Sequence, residues 1–258
     1  MCIFSVAYRV FPDCPIFVLT NRDESTERPT HSPRIWESST PKGARWFGGT
    51  DARAGGTWLG VNEKGMLVAV TNRRTESVPA NPHSRGLLCR DLLECRSAKR
   101  ALDRLGSELS SQVYAGFNLI LLTARSSFIL EVADESRMHK LKPGIHTIAN
   151  GHLDAVDDPR VQRTQALTEE MVRRGGREWT NWIERAKSIC AVHANGENPG
   201  ICLHGDGWGT VGSTIVGLAL DSRESQYHYA PGPPCRTPYV DYSHAFRELF
   251  AHRTSRHS

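Results

Sequence analysis

The chain has 258 residues, 39% of them hydrophobic, and a formal net charge of +4 at pH 7. Its lysines and arginines are scattered, which argues against nucleic-acid binding, and no apolar run approaches the roughly 18 residues that cross a membrane. The seven cysteines are irregularly spaced, which argues against a disulfide framework and favours a reducing compartment. We therefore predict a cytoplasmic protein without a transmembrane segment or a nucleic-acid partner.

Apolar periodicity predicts alternating groups of strands and helices. The predicted strands are 2–9, 15–20, 57–62, 66–72, 116–122, 128–132, 144–149, 213–220 and 225–230. The predicted helices are 84–95, 97–105, 160–174 and 180–193. Ser97 is a plausible N-cap and Gly106 a plausible end of the second helix. Residues 25–56 show little periodicity and are predicted to form a long loop.

Hairpins dominate this order over single strand–helix crossovers, which indicates antiparallel sheets covered by helices. We predict an α+β fold, specifically a four-layer αββα sandwich of two mainly antiparallel sheets flanked by helices. No repeat or linker divides the chain, so residues 1–258 are predicted to form a single domain. The segment after about residue 243 is rich in His and Arg and is predicted to be peripheral.

Cys2 is the main candidate for chemistry. If the initiator Met1 is removed, the Cys2 thiol and its own α-amine share one carbon, which pairs a nucleophile with a built-in base. The alternative is that Cys2 is a small apolar residue at the start of an edge strand, since buried unreactive cysteines are common.

Asn21, Asn72 and Asn150 each follow a predicted strand. An amide is a neutral donor suited to an oxyanion, although asparagine also commonly ends strands and makes turns. Next to Asn21, a carboxylate at Asp23 would orient an N-terminal ammonium, and a cation at Arg22 would favour the thiolate of Cys2. The alternative for Arg22 and Asp23 is a surface ion pair.

A metal site is not expected. The chain has no Cys-x-x-Cys pair, which argues against structural zinc. Cys202 and His204 could offer two ligands with His193 nearby, but such residues more often belong to ordinary loops and cores.

Several motifs together resemble a known family. They are Met1-Cys2, Asn21-Arg22-Asp23-Glu24, Arg28-Pro29, Gly55-Gly56-Thr57-Trp58-Leu59-Gly60, Thr71-Asn72, Gly116-Phe117-Asn118-Leu119-Ile120, Asn150-Gly151 and Gly209-Thr210. In this order they resemble the NRDE family, named after the Asn-Arg-Asp-Glu motif and also called the transport and Golgi organisation protein 2 family. The resemblance covers roughly residues 2–221.

The resemblance implies an N-terminal-nucleophile hydrolase-like fold. By this analogy Cys2 supplies the nucleophile and the amine base, Asp23 orients the amine, and Arg22 supports the thiolate or the substrate, while Asn72 and Asn150 supply oxyanion or substrate contacts. We also predict that Asn21, Trp58 and Asn118 contact the substrate. Many members carry an arginine after the Gly-Thr motif, where this chain has Val211. Arg22 is then the cation expected near Cys2.

Two functional hypotheses follow. The first is an amidohydrolase that uses Cys2 on a non-peptide C–N bond of a small or acylated molecule and requires no cofactor. The alternative is a non-catalytic carrier on the same fold that binds haem, acyl-CoA or a lipid, with Cys2, His204 or another histidine as an axial ligand of haem. The third hypothesis is a purely structural domain.

Overall fold

The computed structural model describes residues 2–76, 78–133, 135–174, 176 and 179–251. The predicted removal of Met1 concerns a residue outside this set. The chain divides into two compact units. Unit 1 comprises Met1–Glu27 and Leu141–Ser243, and unit 2 comprises Arg28–Lys140 and His244–Ser258.

Unit 1 contains a six-stranded antiparallel sheet. Its strands are β1 (Cys2–Tyr8), β2 (Ile16–Ser25), β10 (Gly144–Ile148), β11 (Trp208–Leu218), β12 (Gln226–Ala230) and β13 (Val240–Asp241). They run in the order β10-β1-β2-β11-β12-β13. Strands β1 and β2 are apolar runs buried over nearly their whole length, which fits their central position in the sheet.

Helices α3 (Pro159–Arg174) and α4 (Trp179–Cys190) pack on the unit 1 sheet. The core beneath them includes Ile3 and Ile183. Phe11 stacks on Trp182 with ring centroids 3.6 Å apart, so the hairpin between β1 and β2 is anchored to α4. Because successive strand residues point to opposite faces, the face of β1 that carries Ile3 is the helix-covered one.

Unit 2 contains a seven-stranded antiparallel sheet, in which each strand pairs with the next in chain order. Its strands are β3 (Thr30–Trp36), β4 (Trp46–Asp51), β5 (Leu59–Asn62), β6 (Leu67–Asn72), β7 (Phe117–Leu122), β8 (Ser127–Val132) and β9 (Arg137–His139). The turn between β5 and β6 places Gly65 at φ +75°, where glycine is unstrained.

Helices α1 (Arg85–Leu93) and α2 (Ala98–Ser111) bury leucines against the unit 2 sheet. The predicted N-cap of α2 is confirmed, because the Ser97 hydroxyl accepts a hydrogen bond from Arg100 N. Helix α2 does not end at Gly106 as predicted. It continues to Ser111, because a single helical glycine costs only about 1 kcal/mol.

The α+β class with two antiparallel sheets is confirmed, and three further local predictions are wrong. Residues 25–56 contain strands β3 and β4. The chain after residue 243 forms helix α5 (Ser243–Glu248), and Phe246 is fully buried against Phe47, so Ser243–Ala251 is not peripheral. Asn21 lies inside β2 rather than at a strand end.

Among the described residues, no helix combines the length and the apolar run required to cross a bilayer.

Candidate active site

Cys2 and Arg22 form a row across two neighbouring strands of unit 1. Cys2 on β1 pairs directly with Arg22 on β2, so their side chains share one face of the sheet. On the other side of β1, the pairing with β10 ends at Phe4 and Ile148, and Asn150 follows two residues later, outside the paired strand. Arg22 and Asn150 are buried and Cys2 is half-buried, so the row is partly shielded from solvent.

The surroundings of Cys2 favour its protonated form. Burial raises the pKa of the thiol, and the nearby Asp23 carboxylate raises it further. A hydrogen bond from the Asp23 backbone and the positive charge of Arg22 act in the opposite direction without reversing the shift. A nucleophilic Cys2 therefore needs a base that takes the proton as attack proceeds.

Asp23 is held by two donors from distant parts of the chain. Arg160 Nη1 lies 2.8 Å from Asp23 Oδ2, and Thr210 Oγ1 donates to Asp23 Oδ1 at 2.6 Å. Burial raises the pKa of Asp23, while the charge and hydrogen bond of Arg160 and the hydrogen bond of Thr210 lower it; the net direction is upward. The two contacts thereby fix the carboxylate in one orientation.

Arg160 is a site residue that sequence reasoning missed. It stands in the first turn of α3, where Asp158 Oδ1 accepts hydrogen bonds from the backbone N–H groups of Arg160 and Val161. The Asp158-Pro159 pair is a helix-start signal that can be read from the sequence. The direction of the Arg160 side chain toward Asp23 depends on how α3 packs on the sheet, which no local pattern contains.

A β-bulge shapes the strand that supplies Thr210. The pairing of β11 with β2 passes from Thr210–Asp23 to Gly212–Arg22, so Val211 is an extra residue. Bulges bend a strand locally and re-aim side chains, and they are frequent next to active sites. Val211, the position where the family resemblance implies an arginine, is therefore the bulged residue.

Asn21 has a structural role rather than the predicted contact with substrate. Its side-chain amide donates hydrogen bonds to the carbonyl oxygens of Cys190, at 2.9 Å, and Ile201, at 3.0 Å. Both donors are thus committed to fastening the end of α4 and the following loop to β2. Asn21 pairs with Ile3, which places it on the helix-covered face.

The other predicted site residues belong to unit 2. Asn72 is the exposed last residue of β6, and Trp58 is half-buried just before β5. Asn118 is buried on β7, where its amide donates to Thr71 Oγ1 and its carbonyl oxygen accepts from Arg73. The convergence of Asn72, Trp58 and Asn118 with Cys2 stays a prediction.

Comparison with solved structures identifies the fold. A mutant and a variant of conjugated bile acid hydrolase from Clostridium perfringens align with TM-scores of 0.52 and 0.54, at 10% and 9% identity. They cover 93% and 95% of this chain and 92% and 93% of their own. The Caenorhabditis elegans orthologue of N-acylethanolamine-hydrolyzing acid amidase aligns at 13% identity with a TM-score of 0.50, covering 83% of this chain and 92% of that one. The fold is that of N-terminal-nucleophile hydrolases, as predicted.

Sequence comparison identifies relatives. The human Transport and Golgi organization protein 2 homolog is 24% identical over 80% of this chain and 83% of its own length. The Bos taurus homolog is 28% identical over 54% of this chain. The chain spans 51% of the length of the Bos taurus protein and of the Mus musculus protein, about half of each. The family model of Transport and Golgi organisation 2 matches residues 1–198, and the chain belongs to that family.

Proposed function

We propose that this protein is an N-terminal-nucleophile amidohydrolase that cleaves a non-peptide C–N bond in a small or acylated molecule. The observation that carries the proposal is the alignment of Cys2 with Arg22 beside the fixed carboxylate of Asp23. The fold supports it, because N-terminal-nucleophile hydrolases are among its structural neighbours.

The proposed reaction begins after removal of Met1. The Cys2 sulfur attacks the amide carbonyl carbon while the α-amine of Cys2 takes the thiol proton. The resulting oxyanion is stabilised by amide N–H groups, for which Asn150 and Asn72 are the proposed donors. Collapse breaks the C–N bond, and the α-ammonium protonates the leaving amine. Water then attacks the thioester, releases the carboxylic acid and restores the thiol.

The ionisation of the proposed site predicts its pH dependence. An unperturbed α-amine has a pKa of about 8, and only its neutral form can accept the thiol proton. Burial raises the pKa of the Cys2 thiol, so the α-amine is expected to accept the thiol proton during attack. We expect kcat/KM to rise with pH until the amine is fully deprotonated.

The test compares one polypeptide before and after exposure of the amine. A removable N-terminal tag is placed directly before Cys2, and the test substrates are N-acylethanolamines and conjugated bile acids, after the names of the structural neighbours. Removal of the tag should start turnover, and Cys2→Ala should lower it at least about 10³-fold without changing the circular dichroism spectrum. Equal turnover by tagged and released protein would contradict the proposed base.

The second candidate function is a carrier of haem, acyl-CoA or lipid. The raised pKa of the Cys2 thiol supports this candidate for acyl-CoA and lipid, because their binding requires neither a thiolate nor a free amine. Binding of haem, followed by its Soret band, or of acyl-CoA, followed by calorimetry, should then be equal in tagged and released protein. Turnover that depends on tag release would reject the carrier.

A further inference from the structure

Four metal-ligating side chains converge in unit 1, away from Cys2 in sequence. They are His193, Cys202, His204 and Cys235, whose ligand atoms all lie within 4.8 Å of one another. Cys202 Sγ is 3.6 Å from Cys235 Sγ and 3.7 Å from His204 Nε2, and Cys235 Sγ is 3.2 Å from His204 Nε2. From these contacts we propose that the four residues bind one Zn²⁺ ion.

The distances fit tetrahedral zinc. With Zn–S bonds of about 2.3 Å and Zn–N bonds of about 2.0–2.1 Å, the edges of a tetrahedron are about 3.8 Å between two sulfurs and about 3.6 Å between sulfur and nitrogen. The three separations given above lie within a few tenths of an ångström of these edges. Cys202, His204 and Cys235 therefore require only small adjustments of their side chains to bind zinc. The ligand atom of His193, which lies within 4.8 Å of the other three, has to approach them by up to about 1.5 Å to complete the tetrahedron.

The chemistry of the donors favours zinc over the hard cations. Two cysteines and two histidines form the Cys₂His₂ set of closed structural zinc sites, whereas Mg²⁺ and Ca²⁺ prefer oxygen ligands. With four protein ligands, no position stays open for water or substrate. The site is therefore structural rather than catalytic.

A disulfide between the two cysteines is the competing interpretation. Cys202 and Cys235 are free thiols whose sulfurs stand 3.6 Å apart, compared with about 2.05 Å in a disulfide. That interpretation also leaves the approach of two imidazoles to the same point unexplained. A zinc site accounts for all four side chains.

The surrounding hydrogen bonds hold two of the contributing segments in place. Arg163 on α3 donates to the carbonyl oxygens of His193 and Asn198, at 3.1 and 3.2 Å, which fixes the loop after α4. His204 forms an isolated antiparallel bridge with Gly209, just after β11 begins. The ligands are thus presented by backbone that is already ordered.

Zinc would also brace the proposed active site. Leu203, between two ligands, donates its N–H to Thr210 Oγ1 and accepts from Thr210 N, both at 2.9 Å. Thr210 in turn donates to Asp23. The carbonyl oxygen of Ile201 accepts from both Asn21 and Arg160. An ion between Cys202 and His204 would fix the loop that positions these residues.

Three of the four proposed ligands lie outside the segment that the family model matches. The family match ends at residue 198, while Cys202, His204 and Cys235 follow it. The zinc proposal does not depend on the proposed hydrolase activity, because its ligands are distinct from Cys2 and its test measures metal content.

The experiment measures metal in the purified full-length chain. Protein produced in zinc-supplemented medium and purified without chelator is analysed by inductively coupled plasma mass spectrometry, and the expected content is about one zinc per chain. Cys235→Ser and His204→Asn remove ligands that are half-buried and exposed, so these variants should fold. Cys95→Ser removes a half-buried thiol outside the cluster and serves as the matched control.

We expect Cys95→Ser to keep its zinc and the two ligand variants to lose at least about 100-fold in affinity, since even outer-shell partners contribute 10–100-fold. Cobalt-substituted protein should show tetrahedral d–d bands, and Cys235→Ser should halve its thiolate-to-cobalt charge-transfer band. Less than a tenth of an ion per chain after incubation with Zn²⁺, another metal in its place, or a Cys202–Cys235 disulfide in reducing-agent-free mass spectra would overturn the proposal.

Discussion

At the scale of single residues, the direction in which each side chain points decides which charged groups become partners. Asp23 is fully buried and takes its charge compensation from Arg160, although Arg22 adjoins it in sequence. Strand geometry explains this, because neighbouring residues of a strand point to opposite faces. Arg22 lies in the row with Cys2, while Asp23 turns toward α3.

Removing Arg160 should destabilise the fold. Arg160→Met leaves the buried Asp23 carboxylate without its cation, and breaking a buried pair in this way costs about 3–5 kcal/mol. Urea unfolding should show this loss, and adding Asp23→Asn should recover part of it. Arg173→Met, at an exposed position of the same helix, should change stability by less than about 0.5 kcal/mol. Equal effects of the two arginine substitutions would contradict the assigned pair.

His146 should make stability depend on pH. Burial lowers its pKa, but hydrogen bonds with Asp154 Oδ2 and the Lys142 carbonyl oxygen raise it, and the net shift is upward. The folded state therefore binds the proton more tightly than the unfolded state. The stabilisation is fully present below the unfolded pKa of about 6.5 and is lost as pH rises through the folded pKa.

The measurement is the difference in unfolding free energy between wild type and His146→Gln across this range. The difference should shrink as pH increases. A difference that grows with pH would mean that the partner contacts of His146 do not favour its charged form.

At the scale of elements, close backbone contacts decide where helices dock. Gly56 lies against the start of α1, where Thr57 N donates to Gly86 O at 3.0 Å. A Cβ atom built on Gly56 would lie 2.4 Å from the Gly86 carbonyl carbon and 2.7 Å from Leu87 N. These are backbone atoms of a helix, so they cannot move aside without shifting α1.

Two glycine substitutions should therefore act in opposite directions. Gly56→Ala should cost about 1–3 kcal/mol through overpacking. Gly106→Ala, on the exposed side of α2 with nothing near its Cβ position, should stabilise by up to about 1 kcal/mol. Thermal unfolding of both variants provides the comparison. A neutral Gly56→Ala would show that α1 can move away from β5.

At the scale of the whole molecule, unit 1 is assembled from two separated stretches of chain, one at the N-terminus and one after unit 2. Strands β1 and β2 come from the first stretch, and their neighbours β10 and β11 come from the second. The proposed zinc ligands all lie in the second stretch. Zinc would thus order the part of unit 1 that pairs with the N-terminal strands.

Removal of zinc should loosen unit 1 selectively. With free zinc at a hundred times its Kd, binding adds about 2.7 kcal/mol to the free energy of unfolding. A chelator would remove this contribution. Hydrogen–deuterium exchange should then accelerate around residues 190–210 and 226–241 but not in β6 and β7 of unit 2. Cys235→Ser should be insensitive to the chelator. Uniform acceleration across both units would contradict a site confined to unit 1.

Local sequence patterns determined much of this protein. Periodicity predicted strands β1, β2 and β5–β8 and helices α1, α3 and α4, and residue type predicted the Ser97 cap. These signals depend on residues that are close together in the chain, within one or two helical turns or one pair of strands. The Asn-Arg-Asp-Glu motif and its companions identified the family and the hydrolase fold.

Tertiary structure decided which distant residues contact one another in unit 1. It assigned Arg160 to Asp23, committed Asn21 to two backbone carbonyls, turned Val211 into a bulge and brought Cys235 to Cys202, His204 and His193. Each of these depends on a contact between residues far apart in the chain, and burial of apolar faces rather than local preference sets such contacts. Sequence pattern therefore pointed to Cys2, Arg22 and Asp23, and only the packing of helices and loops on the sheet defined what surrounds them.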